Sequence, residues 1–309
     1  MTSPLLDLPG AVAGDGVDGP VAAHYGSFNR EQALLESGDG FVDLSHRDVL
    51  RISGPDRLDY LHSITTQFFE GLPGGQPTSA LILSPQGHVE HALVGVDDGE
   101  AFTAHTEPGA GATLVEFLDR MRFMMRVEVG LVPELAVAWR PRGFDVVVRD
   151  SLTAYAEAAG PAAGLWAYDA LRIARGEPRF GFDTDHRTIP NEVGWIGSAV
   201  HMDKGCYRGQ ETVARVHTLG RPPRRLTLLH LDGSENRLPA VHSELKDVDG
   251  KVVGTVGSSA RHHELGPIAL ALVKRNVALD ATLDADGIPA SQQVVVDPEV
   301  GLHVRPRLG

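Results

Sequence analysis

The sequence predicts an α+β fold, and three observations predict it. Strand-like and helix-like patterns follow one another without strict alternation, which separates α+β from the repeating units of an α/β sheet. The 309 residues include 35 glycines and 20 prolines, a turn-rich tally that favours many short strands over a helical bundle. With 42% hydrophobic and 22% charged residues, the chain has ample apolar material for a core, and its length suits two domains or one elaborate one.

Residues 1–20 read as a flexible tail with Asp7, Asp15-Gly16 and Asp18-Gly19 and no Lys or Arg, unlike a secretory signal. Asn29 is placed to cap a helix, with Gln32 as its reciprocal capping-box partner and Gly38 as its end. Strands are expected at 41–44 and 49–53. Gly54-Pro55 then opens a helix, with Leu58, Leu61 and Thr65 on one face. Residues 79–96 read as a hairpin that turns through Ser84-Pro85-Gln86-Gly87. Asp98-Gly99 reverses the chain before a strand at 102–105. Leu114, Phe117, Leu118 and Met121 form the apolar stripe of an amphipathic helix. Strands follow at 126–132, 136–140 and 144–149, then a helix at 165–175, where Arg172 and Arg175 suit the negative end and Gly176 the cap. The double proline of Gly220-Arg221-Pro222-Pro223 fits neither a helix nor a central strand and predicts a linker. Beyond it, apolar stretches at 226–231, 252–256, 268–273 and 293–296 are separated by Gly, Asp and Pro, as in a small antiparallel β-barrel. The expected organisation is a tail at 1–20, a mixed region at 21–220 and a barrel domain at 221–309.

Charge and cysteine content narrow the function. Twenty-eight basic against 41 acidic residues give a net charge of −13, which repels phosphate backbones and anionic lipid. No direct nucleic-acid or membrane partner is expected, and the absence of a long apolar run predicts a cytoplasmic protein. A single cysteine, Cys206, excludes an internal disulfide and a zinc or iron–sulfur site built from several thiolates of this chain. No resident metal is expected.

The most unusual segment is Lys204-Gly205-Cys206-Tyr207-Arg208-Gly209-Gln210-Glu211. Its glycines permit tight backbone geometry, and the cations at 204 and 208 favour a reactive thiolate. The same residues also allow a small buried thiol beside two solvated bases. A second group is Arg175-Gly176-Glu177-Pro178 followed by Ile189-Pro190-Asn191-Glu192. A carboxylate held by a proline turn can accept two parallel hydrogen bonds from the N–H edge of a pterin or guanine ring, with Trp195 and Tyr207 near enough in sequence to stack on it. A surface acid in a loop is the alternative. Arg215, Arg221, Arg224 and Arg225 make a basic run suited to an anionic tail or an acidic partner, or to a solvated face. His262-His263-Glu264 offers possible metal ligands but, in a turn without a fourth ligand, reads as solvated.

The stretch 204–215 closely resembles the signature of the YgfZ family of folate-binding proteins. The flanking Arg172, Gly176-Glu177-Pro178, Ile189-Pro190-Asn191-Glu192 and Gly220-Arg221-Pro222-Pro223-Arg224-Arg225-Leu226 resemble it too. The N-terminal Leu44-Ser45, Ile52-Ser53-Gly54-Pro55-Asp56, Thr65-Thr66-Gln67 and Ser84-Pro85-Gln86-Gly87 follow the same order. The resemblance spans about residues 40–275. It implies the aminomethyltransferase, or T-protein, fold: an α+β portion that holds tetrahydrofolate and a C-terminal barrel. It implies that Glu192 is the pterin-binding carboxylate and that Lys204, Cys206, Tyr207 and Gln210 belong to the signature; Cys206 is then expected to be the functional thiol, kept reactive by Lys204. Arg221 or Arg225 is expected to face the folate carboxylates on electrostatic grounds. Where the T-protein carries paired aspartates after the turn glycine, this chain has His91 and Ala92, with Glu90 one step out of register. That departure points away from glycine cleavage. The resemblance therefore implies a tetrahydrofolate-binding accessory factor for iron–sulfur cluster assembly or repair, whose client enzymes include radical tRNA-thiolating enzymes. A folate-dependent one-carbon transferase is the alternative.

Overall fold

The computed structural model describes residues 1–302, and its contacts divide the chain into two units: residues 1–80 with 91–168, and residues 81–90 with those from 169 onward. The end of the expected barrel domain, 303–309, lies outside the described residues.

The first unit contains β1 (Val12–Ala13), β2 (Ala22–His24), α1 (Phe28–Glu36), β3 (Phe41–Asp43), β4 (Asp48–Ser53), α2 (Arg57–Ile64) and the base of the hairpin β5 (Thr78–Leu83) and β6 (Val89–Asp97). It continues with β7 (Ala101–Thr106), α3 (Gly111–Met121), β8 (Glu128–Leu131), β9 (Leu135–Arg140), β10 (Gly143–Val148), α4 (Leu152–Ala159), β11 (Ala162–Ala163) and the start of α5 (Leu165–Ala174). One sheet has the order β5-β6-β7-β4-β8, a second β10-β9-β3-β11. Every residue of β7 is buried, the pattern of a strand covered on both faces, so period-two alternation is absent there.

Three local expectations are corrected in this unit. Residues 1–20 are not a free tail: Leu5 is buried in a cluster with Phe41, Ala136, Val147 and Leu152, and the Ser3 hydroxyl donates to Asp43. The apolar Leu5 finds a core that the surrounding acidic turns conceal in the sequence. Helix α1 starts one residue before Asn29. Glu31, rather than an Asn29–Gln32 box, reaches back to accept the N–H groups of Tyr25 and Ser27 at 2.8 and 3.3 Å. In α3 the stripe buries Leu114, Phe117 and Leu118 but leaves Met121 43% exposed.

The second unit holds the hairpin tip, the remainder of α5, a long loop, α6 (Gln210–Leu219) and the strands β12 (Arg224–Leu231), β13 (Glu244–Lys246), β14 (Val252–His262), β15 (Gly266–Lys274), β16 (Leu283–Ala285) and β17 (Ile288–Val294). These six strands form a closed barrel in the order β12-β15-β14-β13-β16-β17, and closure comes from β12 pairing with both β15 and β17. Leu229, Leu245, Val256, Ala271 and Ile288 belong to one core cluster. Leu226, Leu228, Leu270 and Leu272 form another with Ala170 and Ile173 of α5 and with Val193. That second cluster explains why the expected boundary at residue 221 is not where the contacts divide. The double proline joins α6 to β12 inside one unit, because α5 and the following loop bury their apolar side chains on barrel strands. No helix among the described residues is long and apolar enough to cross a membrane.

Candidate functional site

The sequence-predicted site residues all fall in the second unit, on three pieces of chain. The first is the loop between α5 and α6. Arg172, expected to answer the helix dipole, is instead buried. It donates to Asp169 at 2.6 Å, Asp183 at 3.0 Å and the Ser258 hydroxyl at 2.6 Å. Asp183 also accepts the Arg179 N–H at 2.7 Å and the Ser258 N–H at 2.6 Å. This buried, fully hydrogen-bonded network straps the start of the loop to β14. Glu177, by contrast, pairs with Arg175 at the surface.

Farther along, Pro190–Glu192 makes one tight turn. Glu192 is 1% exposed, so its carboxylate needs partners, and a double fork supplies them. Arg224 Nε and Nη2 donate to its two oxygens at 2.9 and 2.8 Å, and the Ile189 N–H donates to Oε2 at 3.1 Å. The other edge of Arg224 reaches Asp185 at 2.6 and 3.2 Å. Burial opposes ionisation of Asp185. The Arg224 hydrogen bonds and charge, with the Arg187 N–H and Thr188 hydroxyl, outweigh it and hold that carboxyl well below the usual range. A carboxylate has about four acceptor positions, and three on Glu192 are used. Its neighbour Asn191 is 4% exposed, and its Oδ1 has no hydrogen-bond partner among the described residues.

The second piece is the cysteine segment. Lys204 and Tyr207 are buried while Gly205 and Cys206 between them are exposed, which excludes the reading of Cys206 as a packed hydrophobe. The Lys204 ammonium lies over the Tyr207 ring, 5.2 Å from its centroid. Burial pushes the Tyr207 hydroxyl up to about 12. Gly209 takes φ +82° immediately before Gln210 opens α6.

The third piece is the hairpin tip. Ser84 to Gly87 forms the expected turn, with the Gly87 N–H donating to the Ser84 carbonyl at 2.9 Å. It packs on the start of α6 so closely that a Cβ on Gly209 would lie 2.5 Å from the Ser84 carbonyl oxygen, and one on Gly87 2.8 Å from Thr212 Cβ. Arg208 donates to Glu90 at 2.8 Å across the same junction. On the other side the Val89 N–H donates to the Thr188 carbonyl at 2.9 Å. One hairpin therefore braces both the cysteine segment and the Glu192 turn.

Other expectations are corrected. Arg225 does not face a ligand carboxylate: it is fully buried and donates to the carbonyls of Lys274, Arg275 and Val277 and to Gln292. The β12 alternation points it inward, opposite to Arg224. Arg221 is exposed at φ +72° and paired with Glu299 at 3.2 Å. Trp195 is half-buried and packs against the cluster of Leu226 and Leu228, so part of its surface serves the barrel. His262 is buried rather than solvated, its Nδ1 accepting the N–H groups of Glu264 and Leu265 at 3.1 and 3.2 Å. Sequence reasoning missed Asp185 and the pairing of Arg224 with Glu192. Thirty-two residues separate that pair, and only the basic run hinted at it.

No family model matches the chain. A chloroplastic protein of Arabidopsis thaliana named as a transferase is 25% identical over 82% of this chain and 70% of its own length. An aminomethyltransferase of Nostoc sp. is 31% identical over 77% of the chain, and the match spans 52% of that relative. An aminomethyltransferase of Streptomyces coelicolor is 25% identical over 85% of the chain and 86% of its own. Among solved structures, the glycine cleavage system aminomethyltransferase T from Bartonella henselae superposes with a TM-score of 0.78 at 17% identity, covering 96% of both chains. The chain has the aminomethyltransferase fold.

Proposed function

We propose that this protein binds tetrahydrofolate and serves, in the cytoplasm, the assembly or repair of iron–sulfur enzymes, supporting tRNA modification through those clients. The observation that carries the reading is Cys206, an exposed thiol held between two buried side chains on a loop braced by the hairpin tip. A thiol presented in this way meets a partner's cluster, carbon unit or oxidised group, whereas a packed thiol cannot.

The residues fit the folate. A pterin presents N–H and amino donors along one edge, and Glu192 keeps an acceptor position while Asn191 Oδ1 has none of its capacity used. Glu192 and Asn191 would hold that edge, with Arg224 fixing the carboxylate. Tetrahydrofolate, when bound, supplies a carrier for a one-carbon unit. The chain's own residues orient the pterin edge and present the thiol.

The test is rescue in a strain lacking the protein, comparing wild type with Cys206→Ala at equal abundance. Wild type restores iron–sulfur enzyme activities and thiolated tRNA bases, and the alanine variant does not. Equal rescue by both removes the thiol from the function.

The similarity to aminomethyltransferases favours a second reading, folate-dependent aminomethyl transfer. His91 and Ala92 stand where the acid pair of the T-protein is expected, so a different residue would have to act on the folate. Methylene transfer from an aminomethyl donor by purified protein, undiminished in Cys206→Ala, decides for this reading.

A further inference from the structure

Strand β10 is the outer strand of the sheet β10-β9-β3-β11, and it has none of the devices that shield an exposed edge. Such edges are ordinarily blunted by lysine, proline or a bulge. The strand reads Gly143-Phe144-Asp145-Val146-Val147-Val148 and pairs with β9 along its whole length without a break in register. Its single charge, Asp145, is engaged within the fold, accepting from the Tyr155 hydroxyl at 2.7 Å and pairing with Arg140 at 3.3 Å. Val147 is buried with Leu152 of α4, so the opposite face of the strand carries Phe144, Val146 and Val148. Val146 is 36% and Val148 55% exposed.

The ladder fixes which backbone groups are free. The Arg149 N–H donates to the Glu134 carbonyl at 2.8 Å, and β9 runs beside β10 as a hairpin whose paired ends are Arg140 and Gly143. Antiparallel hydrogen bonds alternate along a strand. Gly143, Asp145 and Val147 therefore bond to β9, as Arg149 does, while the N–H and carbonyl groups of Phe144, Val146 and Val148 point away from it. No other strand pairs with them among the described residues.

We infer that this edge pairs with the same edge of a second copy of the chain, antiparallel about a two-fold axis at Val146. The register itself selects a second copy. The outward groups are symmetric about Val146, so Phe144 meets Val148 of the other copy and Val146 meets its own equivalent. Every free backbone group then finds a partner, and one apolar row crosses both strands. The same register brings Arg142 of each copy beside Asp150 of the other. Both side chains are exposed, and neither has an ion pair among the described residues. A two-fold contact requires this self-complementarity, whereas a foreign strand has no cause to meet it. The charge of −13 opposes self-association, but it is not carried at this edge: Arg140, Arg142 and Arg149 stand against Asp145 and Asp150. Charges farther off than about 8 Å are largely screened at physiological salt. So short a ladder buries little area, which makes a dimer that forms and separates. The inference is independent of the folate reading.

The test is sedimentation velocity of the full-length chain from about 10 to about 500 µM at physiological salt, a range suited to a small interface. The expected sedimentation coefficient rises with concentration from monomer toward dimer. Val146→Lys sets like charges on the axis, and Val146→Pro removes an outward N–H without touching a bond to β9, so each abolishes the rise. An unchanged thermal transition verifies the fold of either variant, and the lysine variant alone suffices if proline perturbs the strand. Arg142→Asp and Asp150→Arg each weaken the dimer about 10-fold, as two surface pairs turn from attraction to repulsion. Mixing these two variants in equal amounts recovers wild-type association, because every pair across the axis is again of opposite sign. A monomer at every concentration, a dimer indifferent to the Val146 substitutions, or a mixture that associates no better than either variant alone overturns the inference.

Discussion

Arginines 224 and 225 are neighbours on one strand with opposite tasks. Strand alternation sends Arg225 to four acceptors around the barrel loops and Arg224 to the carboxylates of Glu192 and Asp185. Read in sequence as a basic run, they were indistinguishable, since neither acceptor set lies nearby in the chain. Glu192 was legible as a site candidate from its proline turn, but its partner was not. Replacing Glu192 with Gln leaves Arg224 anchored on Asp185 and removes the ionic acceptor. Tetrahydrofolate affinity, read by titration calorimetry, should weaken about 10- to 100-fold, the scale of a hydrogen bond to a charged group. Undiminished affinity would remove Glu192 from the pterin site.

Most elements were legible because their signals are local. The hairpin, its Ser84–Gly87 turn, α3 and the barrel strands are written in turn residues and periodicity within a few positions. Failures came where distant packing decides: Leu5 joins a core formed with Phe41 and Leu152, and the loop around Val193 joins barrel strands. The junction of the hairpin tip with α6 is of that kind, and its two glycines state the tolerance. Gly209→Ala meets both a left-handed backbone and the Ser84 carbonyl, so it should destabilise the protein by roughly 1–3 kcal/mol or more. The urea midpoint should fall, and Cys206 should label faster with a maleimide as its loop loosens. A midpoint equal to wild type would show that the close approach is relaxed at no cost.

At the scale of the whole chain, the net charge of −13 sets the solution behaviour, and stability should rise from low to physiological ionic strength as self-repulsion is screened. Alkaline unfolding carries a residue-specific signature. Burial raises the Tyr207 pKa to about 12, against about 10 when unfolded. Its contribution is intact below pH 10 and is lost as pH rises from about 10 to about 12, because only the unfolded chain releases the proton there. Stability curves of wild type and Tyr207→Phe should diverge in that window, and parallel curves would count against the burial. The closed ring of six strands has one more consequence. With no first or last strand, it offers unzipping no place to begin, so the amide hydrogens of β12, β14 and β15 should be among the slowest in the chain to trade with deuterated solvent, released together in a single opening rather than strand by strand.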